Sequence, residues 1–389
     1  MQQHSQSARR VTQGGTLVSV LASLFGKETL VGLDIGSANL KAVQVDAHRD
    51  GFRVVRAAQQ KTPPGAIRDG IITDRQGVAD AVRQMLRAAN ISATGAVMSV
   101  AGPTVIVRQV QMPTMAEAVL KKSIRFEAGR FISSNVDDSA LAFEIQGPVE
   151  DDPGQMNVML VAAPREMVDS RVETVERAGL EAVSIDLESF ALVRSLVECN
   201  WSRYNDGTMR ALVDIGASHT EVTIVVGTQF QLTRSLPIAG DTFTDALKNQ
   251  LRVDAVEAER RKAELDLTVL IQGSDDPAAY EAPRALQNIL DELLREIRRS
   301  INYYQSQLPE GAQAQPLSEI VLAGGSAQMV GMAPYMTARL GTEVRVGDPF
   351  ENPAIDAAPE AQAWLQEQAP RLGIGLGLAV KEFMVASVK

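Results

Sequence analysis

The sequence predicts an α/β fold of two similar lobes, each built from a β-meander followed by helices, with an α+β subdomain inserted into the first lobe. Two observations support this prediction. The segment 31–45 recurs in altered form as 212–226, and each copy has the pattern of a strand, a tight turn and a second strand. Between the copies, from residue 104 to about 185, short strands alternate around a helix, which indicates a separate subdomain.

Each copy of the repeated segment has the features of a phosphate-binding hairpin. An apolar strand ends in Asp34 or Asp214, and Gly36 or Gly216 then lets the chain turn directly into the next strand. Such a turn presents backbone N–H groups to an anion. Mg²⁺ bound to a polyphosphate usually keeps several waters, so we expect Asp34 and Asp214 to hold it through water. One Asp-x-Gly could mark an ordinary turn, but two copies favour a nucleotide.

Hydrophobic periodicity and turn signals predict the other elements. The predicted strands after the first hairpin are 52–58, 96–100, 105–112, 140–145, 158–163, 229–236 and 319–323. The predicted helices are 74–90, 116–131, 165–178, 185–199, 241–267, 283–307, one from about 331, and 372–379. A hairpin loop is predicted at 146–155, and Thr73 or Asp74 is expected to cap the first of these helices.

These elements divide the chain into a leader, two lobes and the inserted subdomain. The predicted segments are 1–29 (leader), 30–91 (lobe 1 core), 92–184 (inserted subdomain, with partner binding), 185–207 (return helix of lobe 1), 208–240 (lobe 2 core), 241–318 (lobe 2 helical subdomain), 319–350 (adenosine motif) and 351–389 (closing segment of lobe 1).

The composition restricts the class of partner. With a net charge of −10 and no cluster of Lys and Arg, the chain is not expected to bind nucleic acid as its main activity. The single cysteine, Cys199, excludes an intramolecular disulfide and a cysteine-based zinc site, and we expect it to be a buried apolar residue. There is no run of about 18 uncharged apolar residues and no signal-peptide cleavage pattern, so we expect a cytoplasmic protein.

The leader contains a predicted amphipathic helix. Apolar residues within 16–25 lie at helical spacing between basic residues, Arg9 and Arg10 before them and Lys27 after them. Residues 1–15 are expected to be disordered. The helix could contact a membrane surface or a partner, or it could pack on the first lobe, and the sequence leaves both roles open.

The order of the elements resembles the actin-like ATPase superfamily over roughly residues 30–385. That order is a phosphate hairpin, a connecting helix, a second phosphate hairpin, a Gly-Gly loop next to adenosine, and a glycine-bearing closing helix. The resemblance implies a two-lobed ATPase fold with ATP and Mg²⁺ as cofactors.

The first hairpin matches the first phosphate motif of this superfamily, including a lysine at its end. The resemblance implies that Ser37, Asn39 and Lys41 bind phosphate, with the Lys41 ammonium acting as a point charge. The second hairpin resembles the second motif and implies Ser218 and Thr220 as further ligands. Ala217 and Ser218 stand where members such as actin have an Asp and a Gly, and this departure weakens any inference of rapid hydrolysis.

Two more regions resemble the nucleotide site of the superfamily. The loop Gly324-Gly325-Ser326 is similar to the adenosine motif, in which glycine lets the backbone approach the base or ribose. Glu259 and Lys262 are similar to an E-x-x-K helix that other members place over adenosine, although the same pair could be an exposed i,i+3 ion pair.

Glu188 lies where several members carry the residue that orients the attacking water, which implies a role as general base or water positioner. Asp186 is its acidic neighbour. Either carboxylate could instead cap the helix expected to start near Ser189, and capping is the role we expect for Asp186.

Several local motifs are similar to the PilM family of type IV pilus assembly proteins, and more distantly to the bacterial division protein FtsA. They are Leu21-Ala-Ser-Leu-Phe-Gly-Lys27, Lys122-Ser-Ile-Arg-Phe-Glu-Ala-Gly-Arg-Phe-Ile132, the helix at 292–307 and the run at 344–350. The resemblance implies a scaffold that is peripheral to the inner membrane and works with other pilus assembly components.

PilM-like proteins bind the short cytoplasmic N-terminal peptide of the membrane protein PilN in a groove that involves the inserted subdomain. In this chain the resemblance implies Ile124, Phe126, Phe131 and Ile132 as walls of that groove. Their alternative role is to pack the helix of the subdomain on its own sheet. Self-association is left open.

Two other functions remain as alternatives. A polymerising membrane tether of the FtsA type would carry an amphipathic helix at its C-terminus, whereas the segment 381–389 is short and weakly amphipathic. A kinase of the superfamily would need a catalytic aspartate and a sugar-binding cleft, and the sequence has no motif for either. The expected activity is ATP binding with slow hydrolysis at most.

Overall fold

The computed structural model of the chain describes residues 29–48, 51–132, 135–308, 316–358 and 362–388. The leader helix predicted within 16–25 lies outside the described residues. In the described part of the chain, no helix combines the length and the hydropathy needed to cross a membrane.

The described strands form sheets of six, five, three and two strands. The strands are β1 (Leu30–Ile35), β2 (Asn39–His48), β3 (Gly51–Lys61), β4 (Ile67–Arg68), β5 (Ile71–Ile72), β6 (Gly95–Val100), β7 (Ile106–Pro113), β8 (Ser139–Val149), β9 (Asp152–Pro164), β10 (Glu181–Leu187), β11 (Met209–Ile215), β12 (Thr220–Val226), β13 (Gln229–Leu236), β14 (Leu317–Ala323), β15 (Glu343–Val346) and β16 (Ile355–Ala357).

The described residues contain eleven α-helices. They are α1 (Arg75–Ala88), α2 (Glu117–Ala128), α3 (Arg165–Arg177), α4 (Glu188–Leu196), α5 (Trp201–Tyr204), α6 (Gly240–Leu251), α7 (Ala255–Glu264), α8 (Val269–Gln272), α9 (Glu281–Ser306), α10 (Met332–Leu340) and α11 (Gln362–Val388). The predicted cap of α1 is Asp74, whose Oδ1 accepts the Gly77 N–H (2.9 Å).

The two large sheets repeat one connectivity around their hairpins. Lobe 1 has the order β10-β6-β1-β2-β3-β16, and lobe 2 has the order β13-β12-β11-β14-β15. In lobe 1, β1 pairs antiparallel with β2 and parallel with β6. In lobe 2, β11 pairs antiparallel with β12 and parallel with β14. Because a strand and its parallel neighbour end at the same edge of the sheet, both hairpins open at equivalent places in their lobes.

The inserted subdomain is smaller than the predicted range 92–184. It contains the sheet β7-β9-β8 and α2, which packs on that sheet through Leu120, Ile124 and Ala128. Three elements of the predicted range belong to lobe 1, because β6 pairs with β1, β10 pairs with β6, and α3 packs against α1.

Strand β10 is absent from the predicted strands. Its residues Val183, Ile185 and Leu187 alternate with polar residues, which is the pattern of a half-buried strand. The return helix predicted from residue 185 therefore begins later, at Glu188.

Two predicted helices have different bounds in the structure. The helix predicted at 241–267 is broken, because Arg252 adopts a φ of 54° after α6 and Asp254 caps α7 by accepting the Glu257 N–H at 2.8 Å. The closing helix begins at Gln362 and includes Pro370.

The hairpin loop predicted at 146–155 is mostly strand, since β8 ends at Val149 and β9 begins at Asp152.

Helix α11 approaches its neighbours so closely that only glycine fits at the contact points. A Cβ atom on Gly32 of β1 would clash with the carbonyl oxygen of Gly375, and a Cβ atom on Gly377 would clash with that of Ala191 in α4. The backbones of α11, β1 and α4 are therefore in direct contact.

This contact places α4 and α11 in an apolar core shared by the two lobes. Leu192 of α4 and Leu378 of α11 pack in one buried cluster with Leu212 of β11 and Val321 of β14. The burial of these side chains holds the two sheets on either side of a single cleft.

We predict that Gly377→Ala destabilises the protein by about 3 kcal/mol, because the new methyl group has no space against the Ala191 backbone. Gly129→Ala is the control, since its Cβ would lie 3.5 Å from the nearest atom and its φ is −57°. Urea denaturation of both variants measures the difference. Equal midpoints for Gly377→Ala and wild type would contradict the close packing.

Candidate functional site

A cavity of about 640 Å³ lies between the two lobes. Its wall is formed by both hairpins, by the start of α4, by α7 and by the loop after β14. The predicted site residues that line it are Asp34, Gly36, Ser37, Asn39, Lys41, Glu188, Asp214, Gly216, Ser218, Glu259, Lys262, Gly324, Gly325 and Ser326. Residues as far apart in the sequence as Asp34 and Ser326 thus meet in one place.

The two hairpin turns have the same local geometry. The Gly36 N–H donates to the carbonyl oxygen of Asn39 (3.2 Å), and the Gly216 N–H donates to that of His219 (3.1 Å). The tips meet across the cleft, where the Ser37 and Ser218 hydroxyl oxygens lie 3.1 Å apart. A ligand bound between the tips would contact both lobes at once.

Asp34 forms a buried ion pair with Lys41. The two residues face each other on β1 and β2, and Lys41 Nζ lies 2.6 Å from Asp34 Oδ2. Burial raises the pKa of Asp34, although the Lys41 charge opposes this. Burial lowers the pKa of Lys41, but the Asp34 carboxylate outweighs it and the net pKa is raised. The lysine is therefore charged and faces the cavity.

Within the described part of the chain no cationic side chain forms an ion pair with Asp214, and its pKa is strongly shifted. It is buried at the end of β11, and burial raises its pKa to about 7, with the negative charge of Glu188 adding to the effect. A carboxylate in this state gains strongly from a cation. The cavity therefore has two buried carboxylates. Asp34 is already neutralised by Lys41, whereas Asp214 can still accept a positively charged partner.

The donor set fits a magnesium ion that is held through water. Among the described residues, no group of three or more His, Cys, Asp or Glu side chains is placed to hold a metal directly. Asp34 and Asp214 line the same cavity from the two lobes. Mg²⁺ keeps several waters and needs few protein carboxylates, so these residues suit it when phosphate oxygens complete its coordination.

Glu188 begins α4 and contacts a histidine that the sequence reasoning missed. His219 Nε2 lies 3.7 Å from Glu188 Oε2 and 3.9 Å from Glu221 Oε1. Burial lowers the pKa of His219, but contact with Glu188 outweighs it and raises the pKa to about 9. Burial raises the pKa of Glu188, but His219 outweighs that effect and the net pKa is lowered. Glu188 is thus an ion-paired carboxylate.

Glu259 and Lys262 lie at the other end of the cavity. Lys262 Nζ donates to Glu259 Oε1 (2.7 Å), Thr244 Oγ1 (2.7 Å) and the Gly240 carbonyl oxygen (3.0 Å). The pair is therefore anchored to α6 rather than being only an exposed ion pair on α7.

The Gly-Gly loop turns directly above Asp214. Gly324 has a φ of 88°, and a Cβ atom there would clash with the Asp214 carboxylate. Ser326 Oγ donates to the Gly216 carbonyl oxygen (3.3 Å), which ties the loop to the second hairpin.

Thr220 is a wrong assignment. It does not line the cavity; it is fully buried, and its Oγ1 donates to the Ile238 carbonyl oxygen (2.6 Å). Side chains alternate across β12, so Thr220 faces the lobe 2 interior while its neighbours His219 and Glu221 lie on the side of Glu188.

Asp186 does not cap a helix. It lies in β10 and forms ion pairs with Arg194 (3.0 Å) and Lys381 (3.6 Å), which join β10 to α4 and α11. Its role is structural.

Arg171 and Arg371 also line the cavity and were missed. Arg171 is a buried residue of α3 whose Nη1 donates to the carbonyl oxygens of Gly70 (2.5 Å) and Met167 (3.1 Å). Arg371 lies in α11 and donates from Nη1 to Gln368 Oε1 (3.0 Å). Neither belongs to a local motif, so the sequence carries no signal for them.

The predicted groove residues differ in how far they are buried. Ile124 and Ile132 are buried in the core between α2 and its sheet, so they are not available as groove walls. Phe131 packs partly against the same core. Phe126 is 71% exposed on the opposite side of α2.

The chain is similar to proteins of pilus assembly. A family model described as type IV pilus assembly protein PilM matches residues 32–383. Among solved structures, the chain is similar to a PilM-PilN type IV pilus biogenesis complex, with 27% identity, a TM-score of 0.78, and coverage of 92% of this chain and 99% of that chain.

Other relatives show the wider fold. MreB5 of Spiroplasma citri bound to AMPPNP has 12% identity and a TM-score of 0.51, with coverage of 93% of this chain and 98% of that chain. Cell division protein FtsA of Streptococcus pneumoniae is 22% identical over 364 residues, which is 83% of this chain and 77% of the relative. These similarities confirm the predicted actin-like ATPase fold.

We predict that Asp214→Asn stabilises the ligand-free protein at about pH 8. Because the pKa of Asp214 is raised to about 7, the folded state binds a proton there more tightly than the unfolded state does. The free energy of unfolding of the wild type should therefore decrease as the pH rises from about 4 to about 7. In the variant this decrease should be absent, so the two proteins should differ in it by up to about 4 kcal/mol. Urea denaturation across this pH range measures it.

Asp34→Asn is the matched control. It also replaces a buried carboxylate, but it removes the negative charge that pairs with the Lys41 ammonium at 2.6 Å and leaves that cation buried without a counter-charge from β1, so this variant should be destabilised at every pH in the range. If Asp214→Asn kept the pH dependence of the wild type, another group would be responsible for it.

Proposed function

Since the chain belongs to the PilM family of type IV pilus assembly proteins, we propose that it is an ATP-binding cytoplasmic scaffold of pilus assembly, held at the inner membrane by the N-terminal peptide of a PilN-like protein. The observation that carries the nucleotide part is the pair of matching hairpins that face one cavity. The partner part is supported by the similarity to a PilM-PilN complex.

In the proposed complex the phosphates lie between the two hairpin tips. Backbone N–H groups near Ser37 and Ser218 bind phosphate oxygens, and the Lys41 ammonium neutralises their charge. Asp34 and Asp214 are the residues that would hold Mg²⁺ through water, and the ion would supply positive charge to neutralise the polyphosphate. Contact with both lobes would make the nucleotide order the cleft, which biases the conformation that partners meet.

Adenosine is proposed to lie against the Gly-Gly loop. Gly325 leaves the backbone open to a base or ribose, since the nearest atom to a Cβ there would be Arg371 Nε at 4.0 Å, and Gly324 lets the loop turn against Asp214. The Glu259–Lys262 pair, anchored on α6 through Thr244, would contact the ribose. MreB5, which shares the fold, was solved with bound AMPPNP.

The same geometry supports slow hydrolysis at most. Glu188 is the proposed water positioner, but His219 pairs with its carboxylate at 3.7 Å. An ion-paired carboxylate with a lowered pKa is a weak general base. The role of the nucleotide would then be to order the two lobes rather than to supply energy by turnover.

We place the partner peptide along strand β8. Among the described strands, β8 has a neighbour on one side only, so its other edge is open. The second edge strand of that sheet, β7, approaches β13 of lobe 2, and Val107 of β7 lines a small cavity with Thr233 and Ser235. The open edge of β8 is therefore the available site for an extended peptide. This placement replaces the predicted walls Ile124 and Ile132.

The sequence similarity to FtsA favours one alternative, an ATP-dependent polymerising tether. The two functions differ in one observable, because a tether of this kind forms sedimentable filaments with ATP and lipid, whereas a scaffold remains unassembled.

We predict that Asp214→Asn weakens Mg-ATP binding by roughly 10-fold to 100-fold, the usual effect of losing an outer-shell carboxylate. Glu221→Gln is the matched control: Glu221 is buried opposite Asp214 on β12 but does not line the interlobe cavity. Calorimetric titration with Mg-ATP measures both affinities. An unchanged affinity in Asp214→Asn would remove this residue from the site.

We also predict that the Mg-ATP-loaded protein binds the cytoplasmic N-terminal peptide of a PilN-like protein from the same genome. If the peptide adds to β8, methylating three alternate backbone nitrogens should weaken binding by about 100-fold, at roughly 1 kcal/mol for each lost hydrogen bond. Methylating the intervening nitrogens, which face away from β8, is the matched control.

Calorimetry with the two methylated peptides separates the outcomes. Equal loss with both would exclude strand addition at β8. No binding of the unmodified peptide, with Mg-ATP binding intact, would exclude the PilN-like partner and leave the nucleotide site unaffected.

A further inference from the structure

Helix α2 has an apolar stripe on the face turned away from its sheet. Its inner face is buried through Leu120, Ile124 and Ala128. On the outer side, Phe126 is 71% exposed and Val119 is 54% exposed. These two residues are seven positions apart, which is about two helical turns, so they lie on the same side of the helix.

Cations lie beside this stripe and on the adjoining side of the helix. Lys122 is three positions from Val119 and four from Phe126, which places it next to both, whereas Lys121 is turned about 140° to 160° from them around the helix axis. Lys121 and Lys122 are exposed, and neither forms an ion pair with a described residue. Arg130 lies over the Phe126 ring at 5.1 Å while its Nη1 contacts Glu127 Oε2 at 3.0 Å. The exposed Glu117 is the other carboxylate of the helix. In a chain with a net charge of −10, this face is locally basic.

The stripe is a ridge rather than a groove. Phe126 projects from one convex helix, and no residue of α2 lines the interlobe cavity or the small cavity beside Glu221. A peptide would need walls on both sides of the aromatic ring. A bilayer surface needs none, because an aromatic ring enters the headgroup boundary while lysine side chains extend to the phosphates of anionic lipids.

We propose that the outer face of α2 docks on an anionic membrane surface, with Phe126 and Val119 at the boundary between headgroups and acyl chains and Lys122 on lipid phosphates. Lys121 adds positive charge at the side of the same helix, where its long side chain extends toward the headgroups. This contact goes beyond the proposed tether, because it needs no membrane protein. It also leaves the open edge of β8 free, so the peptide and the lipid would bind the same subdomain at separate places.

The test is sedimentation of the full chain with vesicles of phosphatidylcholine containing about one-third phosphatidylglycerol, and with vesicles of phosphatidylcholine alone. The wild type should bind the anionic vesicles only. Lys121→Glu combined with Lys122→Glu should weaken this binding by about tenfold or more, and Phe126→Ser should weaken it as well.

Matched controls lie on lobe 2. Lys248→Glu with Arg295→Glu makes the same change of net charge at exposed positions, and Val256→Ser removes an apolar side chain that is 80% exposed. Both controls should bind anionic vesicles as the wild type does. If the controls lost binding equally, the effect would come from net charge and the assignment to α2 would be wrong.

Two further results would overturn the proposal: no binding of the wild type to anionic vesicles, or full binding by the Lys121→Glu, Lys122→Glu variant. If the wild type bound an acidic protein but no vesicles, and the double variant lost the binding of that protein, the face would be a protein-binding surface instead. The same preparations should also be titrated with Mg-ATP and with the PilN-like peptide. In the proposed function neither ligand contacts Lys121 or Lys122, so these titrations distinguish a failure of the membrane proposal from a failure of the proposed function.

Discussion

The structure depends on the direct backbone contact between α11, β1 and α4. Glycines at 32 and 377 remove the side chains that would hold these elements apart. Because α4 and α11 pack close to each other and to β1, their apolar side chains contact those of lobe 2, and the two sheets share a core that includes Leu192 and Leu212. The same contact brings the N-terminus of α4, and therefore Glu188, to the cleft between the hairpins. The geometry of the site follows from a packing constraint formed near the end of the chain.

The site contains charged side chains that are largely buried and therefore poorly solvated. Asp34 is neutralised by Lys41 within lobe 1, and Glu188 is neutralised by His219 across the lobes. Asp214 is the carboxylate with the least compensation, which explains its raised pKa. Leaving one buried acid uncompensated costs stability, and a bound cation would recover that cost. A cleft of this kind suits a ligand that carries its own cation.

The inserted subdomain uses its one helix in two ways. The inner face of α2 closes the core of the subdomain, so residues such as Ile124 are committed to folding. The outer face and the open edge of β8 remain free, and they differ in character: one is basic with exposed apolar side chains, and the other offers backbone hydrogen bonds. Both lie in one small unit that is joined to lobe 1 through β6 before it and α3 after it.

The sequence by itself determined the duplicated hairpins, the carboxylates and glycines at their turns, Lys41 and the Gly-Gly loop, because each is a local pattern whose chemistry depends on spacing along the chain. It also identified the actin-like fold through the order of these patterns. Only the tertiary structure decided that Thr220 faces the interior, that His219 pairs with Glu188, that Arg171 and Arg371 reach the cavity, and that Phe126 rather than Ile124 is exposed. The physical reason is that strand register and helix packing set the direction of a side chain, and both depend on contacts between residues far apart in the chain.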